Sequence, residues 1–293
     1  MIQNNDSIQA ETKPAAADTD RCRDIERSII KNFRKGIWRP FVTALNEYEM
    51  IKEGDNIAVC ISGGKDSMLL AKCMQEILRH GKMKFGLHFL VMDPGYNPEN
   101  RKMIEENARL MNIPVTIAGS DIFNAVVDVD QSPCYLCARM RRGFLYDNAK
   151  KLGCNKIALG HHFDDVIETI LMSMLYGAQM NTMMPKLHST NFPGMELIRP
   201  LYLVKESHIL EWRDYNELQF LQCACRFTEA VSKEEEAHMS KRQEMKELIK
   251  KFRTINSNIE MNIFRSAENV NLDACIGYVK HGERHNFLEE YGD

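Results

Sequence analysis

Two periods of apolar and polar positions alternate along the chain. Short runs dominated by apolar residues read as buried strands, and they recur at "NIAVCIS", "FGLHFLVM", "IPVTIA" and "NKIALG". Between them the apolar positions fall three and four apart, the spacing of one helical face. Met68, Leu69, Ala71, Cys73, Met74, Ile77 and Leu78 keep that spacing up to Gly81, which suits a helix stop. Asn97-Pro98 supplies a cap and a first-turn proline for a helix to about Met111. Two more helices run through "ARMRRGFLYDNAKKLG" to Gly153 and through "DDVIETILMSMLYG". Ahead of the first strand, Ile29, Ile30, Phe33 and Ile37 keep helical spacing between about Arg21 and Tyr48, and Gly54-Asp55 turns the chain into the strand.

Strand and helix alternate with no hairpin signal between strands. Parallel strands need long crossovers, so this order predicts an α/β fold: a parallel sheet flanked by helices, Rossmann-like. Ligands in such sheets sit at the carboxyl ends of the strands, where "SGGKDS", "MDPGY" and "GHHFDD" fall. After about residue 200 the pattern changes. "KESHILEWRDYNELQFL" and "SKEEEAHMSKRQEMKELIKKF" both read as helices. The expected organisation is a polar, disordered tail over 1–20, an α/β domain over 21–200 and a mostly helical region over 201–293.

Composition narrows the class. At 293 residues, 44% apolar and 27% charged, the chain has the balance of a soluble globular protein. No apolar run is long enough to span a bilayer. The first twenty residues lack the basic start and apolar stretch of a secretory signal, so the expectation is no membrane and a cytoplasmic protein. A net charge of −3 gives no global basic field, so any nucleic-acid contact must use a local patch. Nine cysteines without an export signal point to buried thiols and to metal or redox chemistry rather than disulfides.

The segment "SGGKDS" lies between a strand and a helix. It lacks the four residues that a Walker-type loop places before Gly-Lys. Gly63 and Gly64 allow close approach of backbone N–H groups, Ser62 and Ser67 offer hydroxyls, and the helix start favours anions. Asp66 would repel a polyphosphate unless a divalent cation lay between them, which implies Mg²⁺. An aspartate favoured by the first helical turn is the plainer alternative. The string "AVCISGGKDS" resembles the signature of the PP-loop ATP pyrophosphatase superfamily without a mismatch. Members cut ATP between the α and β phosphates and transfer AMP to a carbonyl oxygen, which a nucleophile then displaces. The resemblance implies that Ser62, Gly63, Gly64, Asp66 and Ser67 hold pyrophosphate with Lys65 beside it, and that Asp93 faces the nucleotide.

Cys134 and Cys137 form a C-x-x-C pair, and "LQCACRF" adds Cys223 and Cys225. Four thiolates would suit zinc; three would suit an iron–sulfur cluster with one open iron. Cys60, Cys73 and Cys154 are better read as packing thiols. From about Arg23 to Glu229 the order of "EGDNIAVCISGGKDS", "CYLCARMRRG", "KIALGHHFDD", "MLYGAQMNTMMPK" and "LIRPL" resembles the tRNA 2-thiocytidine synthetase (TtcA) family. That resemblance implies a [4Fe–4S] cluster on Cys134, Cys137 and Cys223, with Cys225 as the alternative because C-x-C stands where the family has C-x-x-C. It also implies ATP and Mg²⁺, thiolation at C2 of cytidine 32 in tRNA, a sulfur donor that is sulfide or derived from a cysteine desulfurase, and a possible homodimer.

Within "GHHFDD", Gly160 is placed at the nucleotide, and His161, Asp164 and Asp165 join Asp66 as catalytic candidates. Stabilisation of a helix start by two acids is the competing reading, and His162 is expected to pack. Arg139, Arg141 and Arg142 suit RNA phosphate, with Lys186 and Arg199 as weaker candidates. The rival readings of the same loop are lysidine synthesis, which needs no cysteine set, uridine thiolation, whose paired terminal cysteines the lone Cys22 and Cys275 do not supply, and a non-catalytic iron–sulfur sensor.

Overall fold

The structure, a computed structural model, describes residues 16–120, 133–221, 241–289 and Tyr291; of residues 16–18 and 133–138 only the backbone is described. The described chain divides into two units, with breaks at Asp165 and Met184 and again after residue 221. The larger holds the sheet. The smaller comprises Val166–Met183 and the described residues from 241 onward.

In the larger unit, α1 (Ala16–Ile30) leads through a π-helical turn at Arg34–Trp38 into α2 (Arg39–Glu47). Helix α1 thus begins inside the stretch expected as a tail, while residues 1–15 lie outside the described residues. Then come β1 (Asn56–Ile61), α3 (Lys65–His80), β2 (Gly86–Asp93), α4 (Pro98–Leu110), β3 (Val115–Gly119), α5 (Pro133–Lys151) and β4 (Lys156–Ala158). Helix α6 (Phe163–Gly177) starts here and continues into the smaller unit; β5 (Lys186–His188), β6 (Glu196–Ile198) and α7 (Glu206–Tyr215) follow.

The sheet order is β3-β2-β1-β4-β6-β5, parallel except for the antiparallel edge strand β5. The parallel sheet flanked by helices is as expected. The β5–β6 pair is an addition: each strand has three residues, too few for a period to register. Central β1 is buried from Ile57 to Ile61, which accounts for its unbroken apolar run. On one face Ala58, Cys60, Ile157 and Leu197 pack with Tyr146 and Ala149 of α5. Ile157 and Leu197, both buried, each contribute about 1.5–3 kcal/mol relative to exposure. Burial pushes the Cys60 thiol up to about 12 and Cys154 to about 11, so both stay protonated and pack. At the amino end of the sheet the buried Lys156 Nζ is held by Asp55 (2.9 Å), Glu196 (2.7 Å) and the Met50 carbonyl (2.9 Å).

The strand order places β1 between the outgoing pair β2, β3 and the returning β4. That reversal opens a crevice at the carboxyl ends of β1 and β4.

The smaller unit contains the body of α6, then α8 (Lys241–Ile255), α9 (Ile259–Ser266) and an antiparallel hairpin of β7 (Gly277–Lys280) and β8 (Glu283–Asn286). The hairpin is an addition to the helices expected for this region. His281 and Gly282 both have positive φ, 53° and 86°, as a two-residue hairpin turn of the primed type demands. No described helix is long and apolar enough to cross a membrane.

Candidate functional site

At the end of β1 the chain turns through Ser62, Gly63 and Gly64 into the first turn of α3. Gly63 has φ +82°, and a methyl there would lie 2.6 Å from Ile104 Cγ1 and 2.9 Å from Leu221 Cδ1. The Leu221 N–H donates to the Gly63 carbonyl at 3.2 Å, so the segment after α7 covers the loop. Ser67 is buried and ties the turn together: its hydroxyl accepts from the Ser62 N–H (3.2 Å) and donates to the Gly64 carbonyl (2.9 Å). Ser62 is left exposed. Gly160, after β4, is pressed against α3; a methyl there would sit 3.0 Å from Ser67 N and 3.1 Å from the Asp66 carbonyl carbon.

Lys65 and Asp66 project from that first turn. Lys65 Nζ meets Asp66 Oδ2 at 3.1 Å and Glu206 Oε1 at 2.9 Å. Burial pulls the Lys65 ammonium down, yet the two carboxylates outweigh it and hold its pKa above the usual value. Burial pushes the Asp66 carboxyl up, against the pull of His162 and Lys65. Asp66 Oδ1 is buried and accepts no hydrogen bond among the described residues. That oxygen suits a divalent cation. Among the described residues no cluster of three or more His, Cys, Asp or Glu could hold a metal ion. One carboxylate completed by substrate phosphates is the usual arrangement for Mg²⁺, so the donor set fits that ion in the company of a nucleotide.

The acids of "GHHFDD" divide into two roles. His162 is the residue before α6, and it forms a reciprocal cap with Asp165: its N–H donates to Asp165 Oδ2 (3.0 Å), and its Nδ1 accepts from the Asp165 N–H (3.4 Å). The buried Asp164 accepts the Glu206 N–H at 2.7 Å and so anchors the start of α7. His162 is buried as expected, but it is more than packing. Its Nε2 lies 3.9 Å from both Asp66 Oδ1 and Glu206 Oε1, at the centre of four carboxylates.

Two cavities open at this edge, and both are lined by Ser62, Asp66 and Arg141. The smaller, about 390 Å³, lies at the crevice and is lined by Met92, Gly160, His161, Asp165 and Arg142. The larger, about 970 Å³, lies beyond Gly64 and Lys65 and is lined by Tyr96, Arg213 and Phe220. The structure therefore gathers Ser62, Gly64, Lys65, Asp66, Ser67, Gly160, His161, Asp165, Arg141 and Arg142 around these two neighbouring cavities.

Other expected site residues do not line these cavities. Asp93 lines neither cavity: Oδ1 accepts the Gly95 and Tyr96 N–H groups (2.9 and 2.8 Å), and Oδ2 meets Arg101 at 3.3 Å. Its carboxylate shapes the "DPGY" turn at the end of β2. Asp164 lines neither cavity, and Arg139 is exposed on α5. Lys186 donates to the Glu49 carbonyl and Arg199 to the Met184 carbonyl; burial lowers Arg199 to about 10, still charged at neutral pH. Glu206 had no sequence signal of its own.

Cys134 and Cys137 lie three residues apart at the start of α5. Their side chains, and Cys223 and Cys225 altogether, lie outside the described residues. Positions 134, 137 and 141 share one stripe of the helix, and Arg141 of that stripe lines both cavities. As donors, thiolates at adjacent positions of one helical turn suit an iron–sulfur cluster or zinc.

Comparison with known proteins bears on the family and the fold. A family model described as a PP-loop domain matches residues 37–225. The tRNA-cytidine(32) 2-sulfurtransferase of Acidovorax ebreus is 36% identical over 216 residues, covering 72% of this chain and 66% of that protein. Its counterpart in Neisseria meningitidis serogroup C is 37% identical over 61% of this chain and 57% of its own length. The chain thus spans less than two thirds of these two relatives. The protein of the same name from Alkalilimnicola ehrlichii is 33% identical over 82% of this chain and 75% of its own length. Among solved structures, the U34-tRNA thiolase NcsA from Methanococcus maripaludis, solved with its [4Fe-4S] cluster, superposes with a TM-score of 0.59 at 19% identity. That match covers 86% of this chain and 78% of NcsA and speaks for the fold.

Proposed function

The chain belongs to the PP-loop ATP pyrophosphatases and, within them, to the tRNA 2-thiocytidine synthetase family, and on that premise we propose that it is an ATP-dependent tRNA sulfurtransferase acting at C2 of cytidine 32. The observation that carries the reading is the joint lining of both cavities. Ser62 and Asp66 of the loop face the same space as Arg141, which lies one and two turns along α5 from Cys137 and Cys134.

ATP enters with its adenosine toward the crevice cavity at Met92 and Gly160. Its phosphates lie at the start of α3, where free N–H groups and Lys65 favour negative charge. Asp66 would hold Mg²⁺ against the phosphate oxygens, which neutralises the leaving pyrophosphate. The C2 oxygen of cytidine attacks the α phosphorus and the bond to pyrophosphate breaks. A sulfide equivalent then adds at C2, and the oxygen departs with AMP. An anticodon-loop base is suited to such a site because it can leave its stack. A [4Fe–4S] cluster would be held by Cys134, Cys137 and Cys223 (or Cys225), and would supply an iron with an open position for sulfur. His161 and Asp165 at the crevice wall are the groups placed to take or give protons. Arg141 and Arg142 hold the RNA phosphates.

The Cys134→Ala protein, prepared anaerobically, tests this. Thiolation of tRNA should vanish while ATP binding persists. Full thiolation by that variant overturns the proposal.

A further inference from the structure

The smaller unit carries a charge pattern that the nucleotide site does not use. Helix α8 has six Lys or Arg and two Glu in fifteen residues, in a chain whose net charge is −3. Arg242, Lys246 and Lys250 recur every four residues and so form one stripe, flanked by Lys241, Lys251 and Arg253. All of these except Lys246 are exposed.

Carboxylates along the stripe are fewer than the cations. Glu168 lies 3.4 Å from Arg242 and 3.9 Å from Lys246, Glu260 pairs with Arg253, and Glu244 accepts from the Tyr176 hydroxyl. Lys241 Nζ lies 4.9 Å over the Tyr176 ring, which is 45% exposed and offers a stacking surface beside the cations. A basic helix of this kind suits either a polyanion or an anionic bilayer. Insertion into a bilayer needs a free apolar face, and that of α8 is already covered: Met245 and Ile249 are buried.

We propose that this face of α8 docks the phosphate backbone of RNA. The identification of that RNA as tRNA rests on the sulfurtransferase reading above.

The test uses the full chain carrying Lys250→Gln and Lys251→Gln, with labelled tRNA titrated between about 50 and 200 mM salt. Affinity should fall, and the slope of log K against log salt should become shallower by about 1.5–2, one phosphate contact per lysine. The Lys250→Arg, Lys251→Arg protein should match wild type in both, and all three proteins should bind ATP alike. An unchanged slope in the glutamine variant overturns the α8 proposal and leaves the sulfurtransferase reading standing. Binding to phosphatidylserine vesicles that the glutamine substitutions abolish, with tRNA binding unchanged, overturns it in favour of a membrane. Failure of the wild-type protein to bind tRNA overturns both readings.

Discussion

Replacing Gly63 with alanine measures how tightly the phosphate loop is held. The substitution imposes two penalties of separate origin. A non-glycine residue at φ +82° loses about 1–2 kcal/mol to the left-handed conformation. The new methyl would also lie 2.6 Å from Ile104 Cγ1 and 2.9 Å from Leu221 Cδ1, an overpacking worth about 1–3 kcal/mol. Gly54 separates the two. Its φ is +83°, but nothing lies within 4 Å of a methyl placed there. Gly54→Ala should therefore cost about 1–2 kcal/mol and Gly63→Ala about 1–3 kcal/mol more, out of a total stability of order 5–15 kcal/mol. Urea unfolding at 25 °C reads the difference as a shift in midpoint at constant slope. Equal midpoints for the two variants would refute the reasoning, because they would mean that Ile104 and Leu221 yield freely and do not clamp the loop.

Two further outcomes follow from the charged groups. Because burial holds the Asp66 carboxyl above its usual range, its ionised form burdens the folded protein at neutral pH. Asp66→Asn should raise the melting temperature of the nucleotide-free protein while abolishing Mg²⁺-dependent ATP cleavage, and a lowered melting temperature contradicts the assignment. At the opposite edge of the sheet, burial pushes Asp55 up, but bonds from Asn155, the Lys52 N–H and Lys156 prevail and hold its pKa down. A depressed carboxylate adds stability above its unfolded value and loses it as pH falls through the folded one. Denaturation midpoints should therefore drop as pH falls past about 4, less steeply in Asp55→Asn; parallel acid limbs for the two proteins would show that Asp55 contributes nothing.

Much of this was legible in the sequence, for identifiable reasons. The unbroken apolar run of β1 and the helical spacing after it required a parallel sheet, and the glycine pair fell at a strand end. The β5 and β6 strands escaped because three residues do not make a period. In "GHHFDD", His161, Asp164 and Asp165 stand out for their chemistry while His162 is expected only to pack; His162 and Asp165 stand three apart at a helix start, the spacing of the reciprocal cap they form. Asp93 precedes Pro-Gly, and an aspartate there commonly bonds to its own turn, as this one does. Glu206 could not have been found locally. Its contact with Lys65 depends on α7 docking, and that depends on Asp164, 42 positions earlier.

The most direct measurement is the amount of 2-thiocytidine in tRNA, determined by mass spectrometry of nucleosides from cells that lack this protein. The account predicts that the modified nucleoside disappears, returns when the wild-type chain is supplied, and does not return with Asp66→Asn. Undiminished 2-thiocytidine in the cells that lack this protein would contradict it.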